Sequence, residues 1–372
     1  MDILNFPTEL LLLVAENLAL GDLSRFRSTT RQICLVLTPR FEKLCLQDVG
    51  ELTALQWASV RGHAGLIRLA VSNGAEIEKP LQGRLVETTQ RIPKTPDFNL
   101  LCYVKIICDL SYRSAAAGAT GPLLCTPLFL ATYCGHAKAI EVLLELGASM
   151  QCFGARGTPA HIPASRGDVG CVQVFIGAKV DINAKGFRGN TILHQAISGG
   201  VEMVMYLLQL EEGKNLVNVG SDDGQTPLHF AVRDYDSSSK RRIIIELLLQ
   251  YGADVHAKAQ DGSTPAHIAA RLGIVSSMRV LIAAGIDCYA RDHSGQTILH
   301  HAIGSGKEML KYLLEQEGGR KIIHVGDNQG HTPLDYAERL GEREAVEWLL
   351  KYGAKKVGLF ALPFQHFFCI CS

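Results

Sequence analysis

Histidine and cysteine are the residue types in this chain that could do chemistry, with 13 and 11 copies respectively. A zinc site needs side chains that converge within about 2 Å of one point. Five histidines instead recur about one repeat apart, which places them too far from one another to converge on a metal ion. They stand at positions 161, 194, 229, 267 and 300. His293, His300 and His301 are closer in sequence, but no cysteine or carboxylate cluster accompanies them. We therefore expect no metal and no cofactor.

Motifs for catalysis are missing as well. The sequence supplies no nucleophile elbow, phosphate-binding loop or paired-carboxylate motif. A Ser/His/Asp or Cys/His set can be assembled from any chain this rich in His and Cys, so such sets carry no weight. The sequence predicts a protein that is not an enzyme.

A threonine phrase recurs along the chain and indicates how it folds. Its threonines stand at 126, 158, 191, 226, 264, 297 and 332, with steps of 32, 33, 35, 38, 33 and 35 residues. In the segment from Thr264 to Ala290, Thr264 can cap a helix and Pro265 fits the first turn. Gly273 and Gly285 can end a first and a second helix. Each period therefore predicts a pair of helices that needs its neighbours to bury its apolar face.

The phrases Thr226-Pro-Leu-His229 and Thr264-Pro-Ala-His267, at a period near 33, resemble the ankyrin repeat. The resemblance covers roughly residues 50–356. It implies an all-α ankyrin-repeat solenoid of about eight repeats: a degenerate first repeat at 50–79 and about seven at 123–356. It also implies protein–protein recognition without chemistry. Residues 80–122 lack the phrase and are either a decayed repeat or, as we favour, a long loop with one helix.

A longer repeat is also present. Thr191 and Thr297 are 106 residues apart, and segment 191–226 matches segment 297–332 at 18 of 36 positions without a gap. The matches include positions that the repeat phrase does not fix, such as Glu202-Met203 and Glu308-Met309. We infer that a block of three repeats was duplicated.

One repeat, at 157–184, departs from the pattern. Pro163 stands where the short helix favours Ala, and proline in a helix interior costs about 3 kcal/mol. Lys179 takes a turn position that favours Gly, which costs roughly 1 kcal/mol if φ is positive. We expect this repeat to be the least stable. The repeat from Thr226 carries extra polar residues at 234–240, which predict an exposed loop suited to contact or modification, or simply a tolerated insertion.

Residues 1–47 lack the repeat phrase and read as three short apolar helices. Phe6-Pro7-x-Glu9-Leu10, Val14 and Leu18, with Leu23, Phe26 and Thr30-Arg31, resemble an F-box, although Phe6 stands where Leu is usual. The resemblance implies docking onto the Skp-type adaptor of a cullin–RING ubiquitin ligase. The adaptor face would comprise Phe6, Pro7, Leu10, Leu11, Val14 and Leu18. The alternative is a helical cap that shields the end of the repeat stack.

Two sets of polar residues are candidates for binding a target protein. Arginines follow the short helices in register at 61, 166, 233, 271 and 339, which favours an acidic or phosphorylated peptide unless each is simply solvated. The turns between repeats supply further candidates. The full target-binding set is Phe187, Arg188, Asp222, Asp223, Arg233, Gln260, Asp261, Arg271, His293, Asn328, Gln329 and Arg339.

Composition excludes several classes of function. Lys plus Arg and Asp plus Glu both number 37, so we expect no nucleic-acid partner. No apolar stretch of about 18 residues spans a membrane, and residues 10–13 lack the basic flank of a signal peptide. The odd number of cysteines without paired motifs suits free thiols in the cytoplasm or nucleus. We expect no homo-oligomer.

The C-terminal segment 357–372 offers two interpretations. Cys369-Ile-Cys-Ser372 has the form of a prenylation box, and membrane association is expected only if Cys369 is prenylated. Otherwise the apolar tail packs over the last repeat. The sequence thus favours an F-box substrate receptor of an SCF-type ubiquitin ligase; the alternative is a ligase-independent ankyrin scaffold, tethered to membrane through a C-terminal lipid.

Overall fold

The computed structural model describes residues 48–49, 52–72, 74–78, 126–150, 157–233 and 239–355. Regular elements in these ranges are helices, apart from two strands of two residues, β1 (Asp48–Val49) and β2 (Leu52–Thr53). The strands pair antiparallel, with Asp48 opposite Thr53. The sequence did not predict this hairpin, because strands this short show no alternating pattern. The all-α class otherwise holds throughout the described ranges.

The chain divides into two compact units, one ending at Leu216 and one beginning at Val217. Unit 1 consists of helix pairs whose first helices pack on one another in succession, as do their second helices. The first helices are α1 (Ala54–Arg61), α3 (Pro127–Cys134), α5 (His161–Arg166) and α7 (Ile192–Gly199). The second helices are α2 (Ala64–Ser72), α4 (Ala137–Glu145), α6 (Val169–Gly177) and α8 (Val201–Gln209), followed by the short α9 (Glu211–Asn215).

Unit 2 repeats this two-layer arrangement. Its first helices are α10 (Pro227–Val232), α12 (Pro265–Leu272), α14 (Ile298–Ala302) and α17 (Pro333–Leu340). Its second helices are α11 (Ser239–Gln250), α13 (Val275–Ala283), α15 (Lys307–Glu315) and α18 (Arg343–Lys351), with the short α16 (Glu317–Lys321) after α15. The apolar face of each helix is buried between neighbouring repeats: Leu228, Ala269 and Leu299, for example, have no exposed surface.

Threonine begins the first helices as the sequence predicts, and glycine ends several of them. Thr226 and Thr264 sit in extended backbone at the N-cap, each followed by proline at the first helical position. Gly273 ends α12 at φ +72°, a left-handed conformation that residues with a Cβ rarely adopt. These local rules fix where first helices such as α10 and α12 begin, and packing between repeats supplies the remaining stability.

The repeat that begins at Thr158 starts its helix late. α5 begins at His161, whereas α7 begins directly after Thr191. Pro163 therefore lies in the first turn of α5, where a backbone N–H has no partner in the helix, and the cost expected for a proline in a helix interior does not arise.

Two residues in this part of the chain nevertheless have a strained backbone conformation. Lys179 has φ +58° and Arg188 has φ +57°, the two non-glycine residues with positive φ in the described ranges. The left-handed region costs an L-residue roughly 1–2 kcal/mol. The prediction for Lys179 is thus confirmed, and Arg188 adds a second strained position that the sequence did not indicate.

The inferred duplication has a structural counterpart. α9 and α16 are extra short helices that follow α8 and α15, and their bounds differ by 106 residues. Both contain a buried glycine at the same place, Gly213 and Gly319. A Cβ on either would overlap the carbonyl oxygen of the preceding second helix, at Leu207 and Leu313. Neither short helix was predicted, because five residues carry no helical period.

Candidate interaction surface

The histidines of the recurring phrase close the starts of the first helices. In the repeat from Thr264, Nδ1 of His267 accepts the backbone N–H of Thr264 at 3.2 Å and lies 2.8 Å from its Oγ1. Because Nδ1 accepts, the proton sits on Nε2, which donates to the carbonyl of Gln296 at 3.2 Å. Burial lowers the pKa of His267 to about 4. This histidine therefore joins two repeats as a neutral structural group.

The same arrangement recurs in the neighbouring repeats of unit 2. Nε2 of His229 lies 3.1 Å from the carbonyl oxygen of Ser263, and Nε2 of His300 lies 3.0 Å from that of His331. Burial also lowers the pKa of both imidazoles. His161 in unit 1 is an exception, since within the described residues its buried Nε2 has no hydrogen-bond partner. These contacts explain the recurrent histidines without catalysis.

Turns between repeats in unit 2 are linked into a ladder by backbone hydrogen bonds. The N–H of Gln260 donates to the carbonyl of Asp223 at 2.8 Å, and that of His293 donates to Asp261 at 3.0 Å. The Asn328 side chain donates to the carbonyl of His293 at 2.8 Å. Each turn is thereby positioned by its neighbour, so that its outward side chains lie on a shared, ordered edge.

All twelve side chains that the sequence assigned to target binding are exposed in the structure. Phe187 exposes 45% of its surface, which is high for a large apolar residue. The guanidinium of Arg188 lies 5.4 Å from the centre of the Phe187 ring. Exposure makes contact with a partner feasible, and the assignment of these residues to a target stays a prediction.

The arginines in register make contacts with other parts of the structure. Arg233 donates to Oε1 of Gln225 at 2.7 Å and lies 5.9 Å from the ring centre of Phe230. Nη1 of Arg339 lies 3.4 Å from both ring nitrogens of His331. In unit 1, Arg166 donates to the carbonyl of Tyr133 and lies over its ring.

The charge of Arg271 influences the neighbouring Asp261. Burial alone would raise the pKa of Asp261, but hydrogen bonds from Ser263 and the nearby Arg271 charge together lower it. Four of the five arginines in register are exposed, whereas Arg61 is half-buried.

A buried contact between a histidine and a carboxylate lies behind the turn that leads into Thr297, the third of the threonine phrases in unit 2. Nε2 of His301 is 2.9 Å from Oδ2 of Asp292, and the two side chains are 10% and 8% exposed. A single carboxylate, that of Asp292, therefore accompanies these histidines, and the sequence did not indicate it. No sequence pattern indicates the pair, because its members are separated by a turn and a helix start rather than by a helical spacing. Tyr336, whose OH accepts from Gln296 at 3.1 Å, was also missed.

Metal-binding and membrane-spanning features are absent from the part of the chain that the structure describes. Over the described residues, no group of three or more His, Cys, Asp and Glu side chains is arranged to hold a metal ion. The helices there are too short or too polar to span a bilayer. Burial raises the pKa of the Cys171 thiol, which opposes formation of a reactive thiolate.

Several predicted features lie outside the described residues. These are the three-helix F-box-like module and its adaptor face (Phe6, Pro7, Leu10, Leu11, Val14 and Leu18), the interval 80–122, the loop at 234–238 and Cys369 in the C-terminal tail. They stay predictions.

Curated proteins that match this chain are diverse. It is 25% identical over 269 residues to the E3 ubiquitin-protein ligase KEG of Arabidopsis thaliana, covering 60% of this chain and 16% of that protein. It is 27% identical over 194 residues to the mouse B-cell lymphoma 3 protein homolog, covering 51% of this chain and 42% of that protein. The chain thus spans less than half the length of each. Among solved structures, the ankyrin repeat domain of human ASB11 has a TM-score of 0.50 at 19% identity, covering 71% of this chain and 98% of that one. That likeness concerns the fold alone.

Family models give the decisive comparison. The model for ankyrin repeats in three copies matches in overlapping segments at 160–259, 215–292, 235–322 and 267–358. The model for a single ankyrin repeat matches residues 124–153. The first model alone accounts for more than half of the chain. The chain therefore belongs to the ankyrin-repeat family, whose stacked helix pairs form a protein-interaction module and are typically non-enzymatic.

Proposed function

We propose that this chain is the substrate-recognition subunit of an SCF-type ubiquitin ligase. The observation that carries the proposal is the joint presence of an F-box-like phrase, Pro7-x-Glu9-Leu10, and an ankyrin-repeat array that follows it in the same chain. The name of the plant relative, an E3 ubiquitin-protein ligase, gives further support. The apolar N-terminal segment binds the Skp-type adaptor, and the repeats hold the target.

The mechanism is proximity. A target held beside a ubiquitin-loaded enzyme reacts at a high effective concentration, so the chain needs no reactive group of its own. The exposed turns and the ends of the first helices are the surface that we assign to the target. Cytoplasm and nucleus are the compartments that we propose for this activity.

Capture of a Skp-type adaptor by the full-length chain tests the proposal. Leu10→Asp places a charge on the predicted adaptor face and should abolish capture, because burying an unpaired carboxylate is unfavourable. Arg271→Gln, at an exposed position in unit 2, is the control and should capture the adaptor as the wild type does. Absence of capture by the wild type would contradict the ligase role and leave the ligase-independent scaffold as the function.

A further inference from the structure

The ends of the first helices in unit 2 carry a row of arginines with one gap. Arg233, Arg271 and Arg339 each stand seven residues after the threonine of their repeat. In the repeat that begins at Thr297, the same position is Gly304. All four positions are exposed. The row therefore reads, in repeat order, as charge, charge, gap and charge.

The packing of unit 2 sets the spacing of the row. The first helices α10, α12, α14 and α17 pack side by side in this order. Axes of packed helices lie roughly 8–10 Å apart, and an extended peptide advances about 3.3 Å per residue. One step along the row therefore corresponds to about three residues of an extended peptide, and the step across the gap to about six.

The guanidinium groups of this row can still bind an anion. Arg233 donates to an amide oxygen of Gln225, and Arg339 faces the imidazole of His331, so neither of these contacts is a hydrogen bond to a carboxylate. Arg271 is exposed and lies near the carboxylate of Asp261. Carboxylates form shorter and stronger hydrogen bonds with arginine than neutral groups do. A carboxylate from a partner can replace or share these contacts at exposed positions.

We propose that this row binds an extended segment of an acidic protein whose carboxylates match its spacing. Three acidic side chains would be separated by about three and about six residues, with a neutral residue opposite Gly304. This inference rests on the target-binding role in the proposed function and specifies the chemistry of the target. Charge complementarity favours an acidic partner, and the missing charge at Gly304 favours a neutral residue at the matching position of its peptide.

Peptide binding to the full-length chain tests the spacing. The probes are fluorescein-labelled peptides of about twelve residues with glutamates at positions 1, 4 and 10, or in the mirrored pattern 1, 7 and 10, in a Ser/Ala background. A peptide of the same composition with three adjacent glutamates is the control. We expect one spaced peptide to bind at least about fivefold more tightly than the clustered peptide, by fluorescence anisotropy at low salt.

Substitutions in the row identify the binding groups. Arg271→Gln should weaken the spaced peptide about two- to fivefold, as expected for one exposed ion pair. Arg279→Gln makes the same change of charge at an exposed position on the second helix α13 and should have no effect. Equal binding of spaced and clustered peptides, no binding by either, or an unchanged affinity in Arg271→Gln would overturn the proposal.

Filling the gap provides a gain-of-function test. A Cβ at Gly304 would meet nothing within 4 Å and the position is exposed, so a side chain can be introduced there. Gly304→Arg should strengthen binding about two- to fivefold for a peptide with a fourth glutamate opposite the gap. The three-glutamate peptide should bind this variant as before. Strengthening of both peptides alike would show general attraction and would refute recognition by position.

The two proposals fail separately. Adaptor capture depends on the N-terminal segment, and peptide binding depends on unit 2. If adaptor capture persists while spacing has no effect, the ligase role stands and the acidic pattern is wrong. If spaced peptides bind while the adaptor is not captured, recognition of the acidic pattern is supported, and the chain functions as a ligase-independent scaffold.

Discussion

Nε2 of His301 donates to Oδ2 of Asp292 across 2.9 Å, at a site where both side chains are almost fully buried. The other carboxylate oxygen of Asp292 accepts the backbone N–H groups of Ser294 and Gln296, each at 2.9 Å. The ring of His267 meets that of His301 edge-on at 5.3 Å. One carboxylate thus fixes the shape of a turn and anchors it to the following first helix.

Asp292→Ala should lower the free energy of unfolding by about 2–3 kcal/mol, because it leaves the backbone N–H groups of the turn and the almost fully buried imidazole of His301 without their acceptor. Urea denaturation measures the loss. Asp222→Ala, at an exposed position in another turn, is the control and should stay within about 0.5 kcal/mol of the wild type. A similar small change in both variants would mean that the pair adds nothing to stability.

Stability should fall as the pH drops from about 6.5 towards about 4. In this window the unfolded chain takes up a proton at residue 267, whereas the folded chain does not, since burial lowers the pKa of His267 to about 4. The contribution of this residue is fully present above about pH 6.5, and its loss is about 3 kcal/mol at most.

His267→Gln is the variant that tests this cause. Glutamine at this helical position can accept the same N–H but has no proton to take up. The variant should therefore lose less stability than the wild type between neutral and acidic pH in urea titrations. The exposed His256→Gln is the control and should follow the wild type. A pH profile in His267→Gln as steep as that of the wild type would be evidence against this origin.

Lys179→Gly should stabilise unit 1 by about 1 kcal/mol, because glycine removes the steric cost of φ +58°. The neighbouring Ala178 has φ −81°, so Ala178→Gly gains nothing and should be destabilising. Thermal unfolding monitored by circular dichroism compares the two variants. Destabilisation of both would show that the positive φ of Lys179 carries no strain.

Gly213→Ala should destabilise unit 1 by roughly 2 kcal/mol or more, because the added methyl group overlaps the carbonyl of Leu207. Gly177 is also helical, but a Cβ there would meet nothing within 4 Å. Gly177→Ala should therefore stabilise the chain by about 0.5–1 kcal/mol. Opposite signs in chemical denaturation are the expected result, and equal effects would contradict it.

The sequence predicted those parts of the fold that local chemistry determines. Thr264 and Gly273 bound a first helix through capping and a left-handed turn, and both effects can be read from single residues. The late start of α5 could not be read this way, because the phrase Thr158-Pro159 is the same as elsewhere and the difference appears only in the folded chain.

Candidate interaction residues show the same division. Exposure of Arg233 and Arg271 follows from their place in the repeat, so the sequence was sufficient to predict it. Contacts made across a turn, such as His301 with Asp292, depend on three-dimensional packing and had no signal in spacing. The absence of an arginine at Gly304 can be recognised as a gap in a row only when the neighbouring first helices are known to lie side by side.

Recurrence of the α8–α9 arrangement in α15–α16 has a consequence for how such a protein can grow. The repeat from Thr226 packs on the repeat from Thr264 through contacts between α10 and α12. Its counterpart in the second copy of the block is the repeat from Thr332, 106 residues later. Related genes could therefore lengthen by whole three-repeat blocks. Each new block would pack on the preceding one through the same contact that joins the two blocks here.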